Sequence, residues 1–265
     1  MPEEVFGDGL TIHYEETGSG PGLVFVHGWT MSSRFFQRQL EAFPGHRVLA
    51  PDLRGHGASS KILHGHTVAT YASDLKDLLA RRGVERPVLV GWSMGAMVAY
   101  EYLQQSDQAV RGLIIVDQPP SDFAWEGYEF GVFTMESLAE TNQEIQSDHG
   151  SLARQFADLM LHEPDDETVA WMVDEITKVP PAIASTILLD QTLRDYRSFL
   201  PRIRVPTLVM FGEDPKLTSP AAGRYIAEQV PGARFRGFGS SSHCPFWEEA
   251  DAFNEMVAEF TAEVA

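Results

Sequence analysis

The run Val88-Leu89-Val90-Gly91-Trp92-Ser93-Met94-Gly95-Ala96-Met97-Val98-Ala99 constrains this chain more than any other stretch. An apolar run stops at a Gly-x-Ser-x-Gly pentapeptide and opens into small, helix-forming residues, which reads as strand, sharp turn and helix. In such a turn the serine takes a strained backbone position with its hydroxyl presented above the sheet edge. Gly91 and Gly95 suit it because a Cβ at either place would collide with the neighbouring strand or helix. The pentapeptide alone arises by chance in Gly-rich loops. The strand before it and the helix after it are what make Ser93 a candidate nucleophile.

The rest of the chain repeats this rhythm. Val5-Phe6 and Leu10 to Tyr14, separated by Gly7-Asp8-Gly9, read as an antiparallel hairpin. Leu23 to Val26 and Gly112 to Val116 read as strands buried on both faces of a parallel sheet, Arg47 to Ala50 and Pro206 to Gly212 as further strands, and Ala233 to Phe238 as the last. Helices are predicted over residues 33–43, 68–82 and from Met97 to Leu103. A further helix starts at Ser219-Pro220, a cap followed by proline, and a last one carries Phe246, Phe253, Val257 and Phe260. Strands alternating with helices predict an α/β fold with a doubly wound, mostly parallel sheet. The rhythm breaks after Asp117. Residues 118–201 contain helical windows rich in aromatics and methionine and no strand-like run, and are too long for a loop. We therefore expect a core domain of residues 1–117 and 202–265, with 118–201 as an inserted helical cap.

Composition narrows the partners. With 38 acidic and 20 basic residues the formal net charge is -18, which repels phosphate backbones and argues against nucleic acid and anionic membranes. One cysteine, Cys244, allows neither an internal disulfide nor a Cys-based metal cluster, and no His-Glu-x-x-His run supports zinc. We expect no cofactor and no metal. The acidic Met1-Pro2-Glu3-Glu4 lacks a signal-peptide pattern, and no apolar stretch approaches the ~20 residues that span a bilayer. The simplest expectation is a soluble, cytoplasmic protein, and homo-oligomers are compatible with the sequence.

A serine nucleophile needs a base within hydrogen-bond reach and an acid that fixes the base's tautomer. Of nine histidines, His243 is the best candidate, because its Ser-Ser-Ser-His loop lies between the last strand and the last helix, downstream of the serine. His56 belongs to the stretch Asp52 to Ser59, read as a structural turn pinned by its Asp and Arg. His64 and His66 sit in a polar loop and are expected to be solvated.

Four pieces together resemble the α/β-hydrolase superfamily, nearest its cofactor-free haloperoxidase, esterase and lactonase branch. They are His27-Gly28-Trp29, Asp52-Leu53-Arg54-Gly55-His56-Gly57-Ala58-Ser59, Gly91-Trp92-Ser93-Met94-Gly95, and Gly239 to Phe246, in the family's order and spacing. The resemblance implies an oxyanion hole from the backbone N–H groups of Trp29 and Met94, with Trp29 also shaping the pocket floor. In relatives the acid usually stands three residues after the glycine that ends the strand following the cap. Here Gly212-Glu213-Asp214-Pro215 places Pro215 there, with Asp214 one residue early. In other relatives the acid ends the strand before the cap, where this chain has Asp117. Asp117 is therefore the favoured acid and Asp214 the runner-up, expected to point elsewhere, towards the helix that Ser219 caps.

The reading implied is a serine hydrolase that cleaves a carboxylic ester or lactone of a small, largely apolar substrate through an acyl-enzyme on Ser93. Cap aromatics, Trp125, Phe130 and Phe133 among them, are expected to line the substrate pocket with Trp29. Two alternatives use the same residues: perhydrolysis of the haloperoxidase type, and a ligand receptor of this fold with slow or no turnover.

Overall fold

The computed structural model describes residues 2–7 and 9–265; Met1, and Asp8 at the centre of the predicted hairpin turn, lie outside the described residues. The strands are β1 (Glu3–Val5), β2 (Thr11–Gly18), β3 (Gly22–Val26), β4 (Arg47–Pro51), β5 (Val88–Trp92), β6 (Gly112–Val116), β7 (Thr207–Gly212) and β8 (Arg234–Phe238). They form one sheet in the order β1-β2-β4-β3-β5-β6-β7-β8. β1 with β2 and β2 with β4 pair antiparallel, and every pair from β4 to β8 is parallel.

The parallel strands β3, β5, β6 and β7 are buried along their whole length, as their unbroken apolar runs require. Their side chains alternate between two cores. Val24, Val26, Leu89, Leu113, Ile115 and Phe211 join Leu75, Leu78 and Leu79 of α1 (Val68–Arg82) and Met97 and Tyr100 of α2 (Met94–Gln105). Leu23, Phe25, Val90, Ile114, Val116 and Met210 face the other way, against Phe35, Phe36, Phe246, Phe253 and Phe260. α1 is delimited as its sequence dictates: Thr67 Oγ1 accepts from Thr70 N, and Gly83 ends the helix at φ 63°.

Between β6 and β7 lie α3 (Met135–Ser147), α4 (His149–Met160), α5 (Asp166–Thr177) and α6 (Pro181–Thr192). α4 packs on α5 and α3 on α6. The described residues of this insertion hold only one isolated β-bridge, Phe123 to Phe133. After β7, Ser219 Oγ accepts from Ala221 N and caps α7 (Pro220–Gln229). α8 (Pro245–Glu248) and α9 (Ala250–Glu263) close the fold.

The structure corrects three local readings. Residues 33–43 form a single 3₁₀ turn, Ser33–Phe36, followed by shorter turns; Ser33 N is drawn out of the helical pattern by donating to Asp52 Oδ1 at 2.7 Å, and Phe35 and Phe36 both enter the core. His66 is not solvated: it is buried, with Nδ1 on Tyr71 Oη at 3.0 Å and Nε2 on Ile62 O at 2.7 Å. The last helix is broken at Glu249, whose carboxylate accepts from Ser240 N at 2.9 Å and Ser241 Oγ at 2.6 Å. No helix among the described residues is long and apolar enough to cross a membrane.

The end of β7 touches the loop that carries His243. A Cβ on Gly212 would stand 1.9 Å from Ser242 O and 2.5 Å from Ser241 O, both backbone atoms. Gly212→Ala should therefore destabilise the fold by about 1–3 kcal/mol, the range for overpacking a tight contact. Urea denaturation of the purified variant measures it, and a loss below about 0.5 kcal/mol would show that the loop yields.

Candidate active site

Four loops converge at the carboxyl ends of neighbouring parallel strands, where open α/β sheets place their sites. Ser93 follows β5, Asp117 follows β6, His243 follows β8 and Trp29 follows β3. Ser93 has φ 53° and ψ -131°, a conformation rare outside glycine, between β5 and the first turn of α2. The flanking glycines are forced by contact. A Cβ on Gly91 would lie 2.5 Å from Ala96 Cα, and one on Gly95 would lie 2.1 Å from Val26 O. Ser93 N donates to Val116 O at 3.0 Å, tying the turn to the end of β6.

Asp117 also has a positive φ, 48°, and is almost wholly buried. Its Oδ1 lies 2.8 Å from His243 Nδ1 and accepts from Thr218 Oγ1, while Oδ2 accepts from Gly212 N at 2.8 Å. The His243 backbone is held from two sides: its N donates to Met160 O at 3.0 Å, and its O accepts from Trp92 Nε1 at 2.8 Å. Nδ1 is thereby committed to Asp117, leaving Nε2 as the free ring nitrogen. Ser93 Oγ makes no hydrogen bond among the described residues, yet Ser93 and His243 line the same cavity.

Asp214 stands elsewhere. Its Oδ2 is 2.8 Å from His162 Nδ1, in the link between α4 and α5, not at the start of α7. Lys216 Nζ donates to Leu161 O at 2.8 Å and His162 O at 2.7 Å in the same link. The loop after β7 thus sends Asp214 and Lys216 to the helical insertion and Thr218 to Asp117.

The cavity measures about 240 Å³. Trp29, Phe133, Phe156, Leu159, Leu188 and Leu217 form its apolar wall, and Gln118, Asp122 and Gln191 a polar one. Trp125 and Phe130, expected here, do not line it. Trp125 Nε1 donates to Ser121 Oγ at 2.8 Å and its ring packs on Phe123, while Phe130 packs on Tyr128 and Tyr225. Sequence alone missed Thr218, Asp122 and Gln191. The displaced Asp214 was the one signal that the loop after β7 meets the two aspartates differently.

Trp29 follows a loop fixed by His27, whose Nδ1 donates to Gly28 O at 2.8 Å and whose Nε2 accepts from Leu53 N at 2.9 Å. The Trp29 ring is anchored to α6 through Nε1 to Ala184 O at 2.9 Å. A Cβ on Gly28 would stand 2.9 Å from Ser93 Cβ, so this loop lies directly beside the serine. Among the described residues neither Trp29 N nor Met94 N donates to a protein acceptor. Burial pushes His27 down to about 4, against the hydrogen bond to Gly28. His56, its ring centroid 5.0 Å away, is pushed well below the usual value by burial and then by His27.

A serine at a strained strand–helix turn, beside a histidine held by an aspartate on the next strand end, defines an α/β-hydrolase. Residues 21–250 match a family described as alpha/beta hydrolase fold, and the chain belongs to that family. It is 29% identical to a pimeloyl-[acyl-carrier protein] methyl ester esterase of Vibrio campbellii, covering 95% of this chain and 98% of that one. It is 27% identical to the non-heme chloroperoxidase CPO-A1 of Kitasatospora aureofaciens, covering 98% and 99%. The structure of an esterase (EaEST) from Exiguobacterium antarcticum superposes with a TM-score of 0.90 at 26% identity, covering 96% of both chains.

The neutral His27 gives the fold a pH dependence. Its folded value, about 4, lies below the ordinary histidine value near 6.5, so the unfolded chain binds the extra proton first as pH falls. The stability this confers is complete above about pH 6.5 and is lost as pH falls towards about 4. From His27 alone the protein should be on the order of 2 kcal/mol less stable at pH 5 than at pH 7. Urea denaturation at the two values checks this, and His27→Asn should flatten the dependence; an equally steep variant would refute it.

Proposed function

We propose that the protein is a serine hydrolase that cleaves a carboxylic ester or lactone of a small, largely apolar substrate through an acyl-enzyme on Ser93. The observation that carries the reading is the 2.8 Å contact between Asp117 Oδ1 and His243 Nδ1, beside Ser93 in one mostly apolar cavity. Ser93 Oγ attacks the substrate carbonyl while His243 Nε2 takes its proton. Asp117 holds the productive tautomer and stabilises the imidazolium. The imidazolium then protonates the leaving alkoxide. Water attacks the acyl-enzyme, gives its proton to His243, and the acid departs as Ser93 recovers its own.

The backbone N–H groups of Trp29 and Met94 serve as the oxyanion hole. Among the described residues both are left without protein acceptors, as groups waiting for a developing charge should be. Residues 118–201 act as the cap, contributing Phe133, Phe156, Leu159 and Leu188 over the serine. At about 240 Å³ the cavity is below the ordinary range for drug-sized ligands and suits a short acyl group. The esterase names of two similar proteins support the same chemistry. With hydrogen peroxide in place of water the acyl-enzyme would give a peracid, in line with the chloroperoxidase relative.

Ser93→Ala should lose at least about 10³-fold in turnover of short aryl esters, and an aryl fluorophosphonate should label the wild type at Ser93 but leave the variant unmarked. Peptide mass mapping reads the label; an unlabelled wild type, or a Ser93→Ala enzyme with full turnover, would sink the proposal. Asp117→Asn should lose on the order of 10³- to 10⁴-fold while remaining folded, whereas Asp214→Asn keeps most activity. Should Asp214→Asn be the dead variant, the acid has been misassigned.

A further inference from the structure

One feature of the cavity is not used by ester hydrolysis as such. Asp122 is 5% exposed yet lines the cavity, and its backbone is fixed where Val132 N and Phe133 N both donate to its O at 2.7 and 2.8 Å. Gln118 Nε2 donates to Oδ1 at 2.6 Å and Gln191 Nε2 to Oδ2 at 3.2 Å. Among the described residues no arginine or lysine pairs with it. Gln191 Oε1, in the same recess, is buried and has no hydrogen-bond partner among the described residues. A carboxyl therefore stands at the wall of a mostly apolar cavity, whose other polar lining residues, Gln118, Thr141, Gln155 and Thr218, are uncharged apart from the site's His243, and a buried amide oxygen lies beside it.

Two amide donors on a buried carboxyl do not make it a favourable structural tie, since an apolar pair would hold the same elements without desolvating a charge. Its retention at a cavity wall has a chemical reading. A plain alkyl chain entering the cavity strips water from Asp122 and returns nothing, and it leaves the buried Gln191 Oε1 without a partner. A chain bearing an O–H or N–H group replaces that water. A second carboxylate is repelled.

Building on the ester-hydrolase reading above, we propose that Asp122 and Gln191 form a polar subsite that selects substrates carrying a hydrogen-bond donor, a hydroxyl, amide N–H or ammonium group, over plain-alkyl and carboxylate-bearing esters of equal length.

The test is internal competition between matched aryl esters (unsubstituted, ω-hydroxy, ω-amino and ω-carboxy) across a series of chain lengths, read as the ratio of kcat/KM. A ratio is independent of the fraction of active enzyme, so a partly folded variant still reports. At the best length the wild type should favour a donor-bearing ester over the plain one by about tenfold or more and turn over the carboxy ester least. The hydroxy and amino arms separate a neutral donor from a cation. In Asp122→Asn, and independently in Gln191→Met, the ratio should move towards one. A wild-type ratio near one at every length, or variants that keep the wild-type ratio, would overturn the inference.

The wild type alone supplies a second reading. Burial raises Asp122 to about 6, opposed by the hydrogen bonds from Gln118 and Gln191 and by His243. The preference should therefore weaken as pH falls through about 6 and the carboxyl gains a proton. His243 affects both esters alike and cancels in the ratio. Tyr128, the other ionisable neighbour, is pushed up by burial and then by Asp122, and stays neutral. A ratio flat over roughly pH 5 to 8 overturns the subsite. If neither ester is turned over and Ser93 takes no fluorophosphonate, it is the hydrolase reading that has failed, and this one with it.

Discussion

The site rests on the register of three parallel strands. Trp92 pairs with Val116 and Val116 with Met210, so β5 and β6 end flush while β7 runs two residues further, to Gly212. From those ends Ser93 N reaches Val116 O, Asp117 N reaches Met210 O, and Gly212 N reaches the Asp117 carboxylate. Each turn is thus hydrogen-bonded to the strand beside it. A slip of one residue in any of these pairings would turn the serine or the aspartate to the other face of the sheet. The apolar alternation within the strands prevents that slip, because it would exchange the two cores.

This dependence explains what was legible in the sequence. The strands could be read because each is a short run between turn residues, and the serine turn because its pattern of glycines stands in the sequence, although only Gly91 is dictated by neighbours a few residues away and Gly95 by Val26 on another strand. The insertion was legible as helical but not in its facing. Phe133 enters the cavity while Trp125 and Phe130, equally aromatic and close in sequence, pack on Phe123, Tyr128 and Tyr225. Which ring faces inward is set by pairings such as Phe123 with Phe133, and no local pattern encodes them. His66 was misread for a different reason: its partners Ile62 O and Tyr71 Oη lie within five residues, but they close over it only once the polar loop folds against the helix that follows.

The pair Asp117 and Asp214 is the instructive intermediate case. Counting from Gly212 left Asp214 one residue out of place, and a one-residue offset at a strand end is geometrically decisive. The chain uses the displaced carboxylate to hold His162, beside Lys216 on the same link, so the loop after β7 fastens the helical insertion to the core. Glu248 adds a third attachment by accepting from His162 N at 2.5 Å and Ser242 N at 2.9 Å. One short link is therefore common to the insertion and to the histidine loop. What the sequence could not supply was Thr218, whose hydroxyl reaches Asp117 from the same loop.

The backbone at Ser93 and Asp117 also limits what this scaffold can become. Both residues hold a φ near 50° without being glycine, a region that strains a side chain branched at Cβ more than an unbranched one. Cysteine or aspartate in place of the serine would add no branch at Cβ. Threonine, chemically the nearer substitute, would add strain to a turn already strained, a cost this chain bears at Thr30, whose φ is 61°. The range of residues open to descendants of this protein at Ser93 is thus weighted by the shape of a turn before any reactivity is compared.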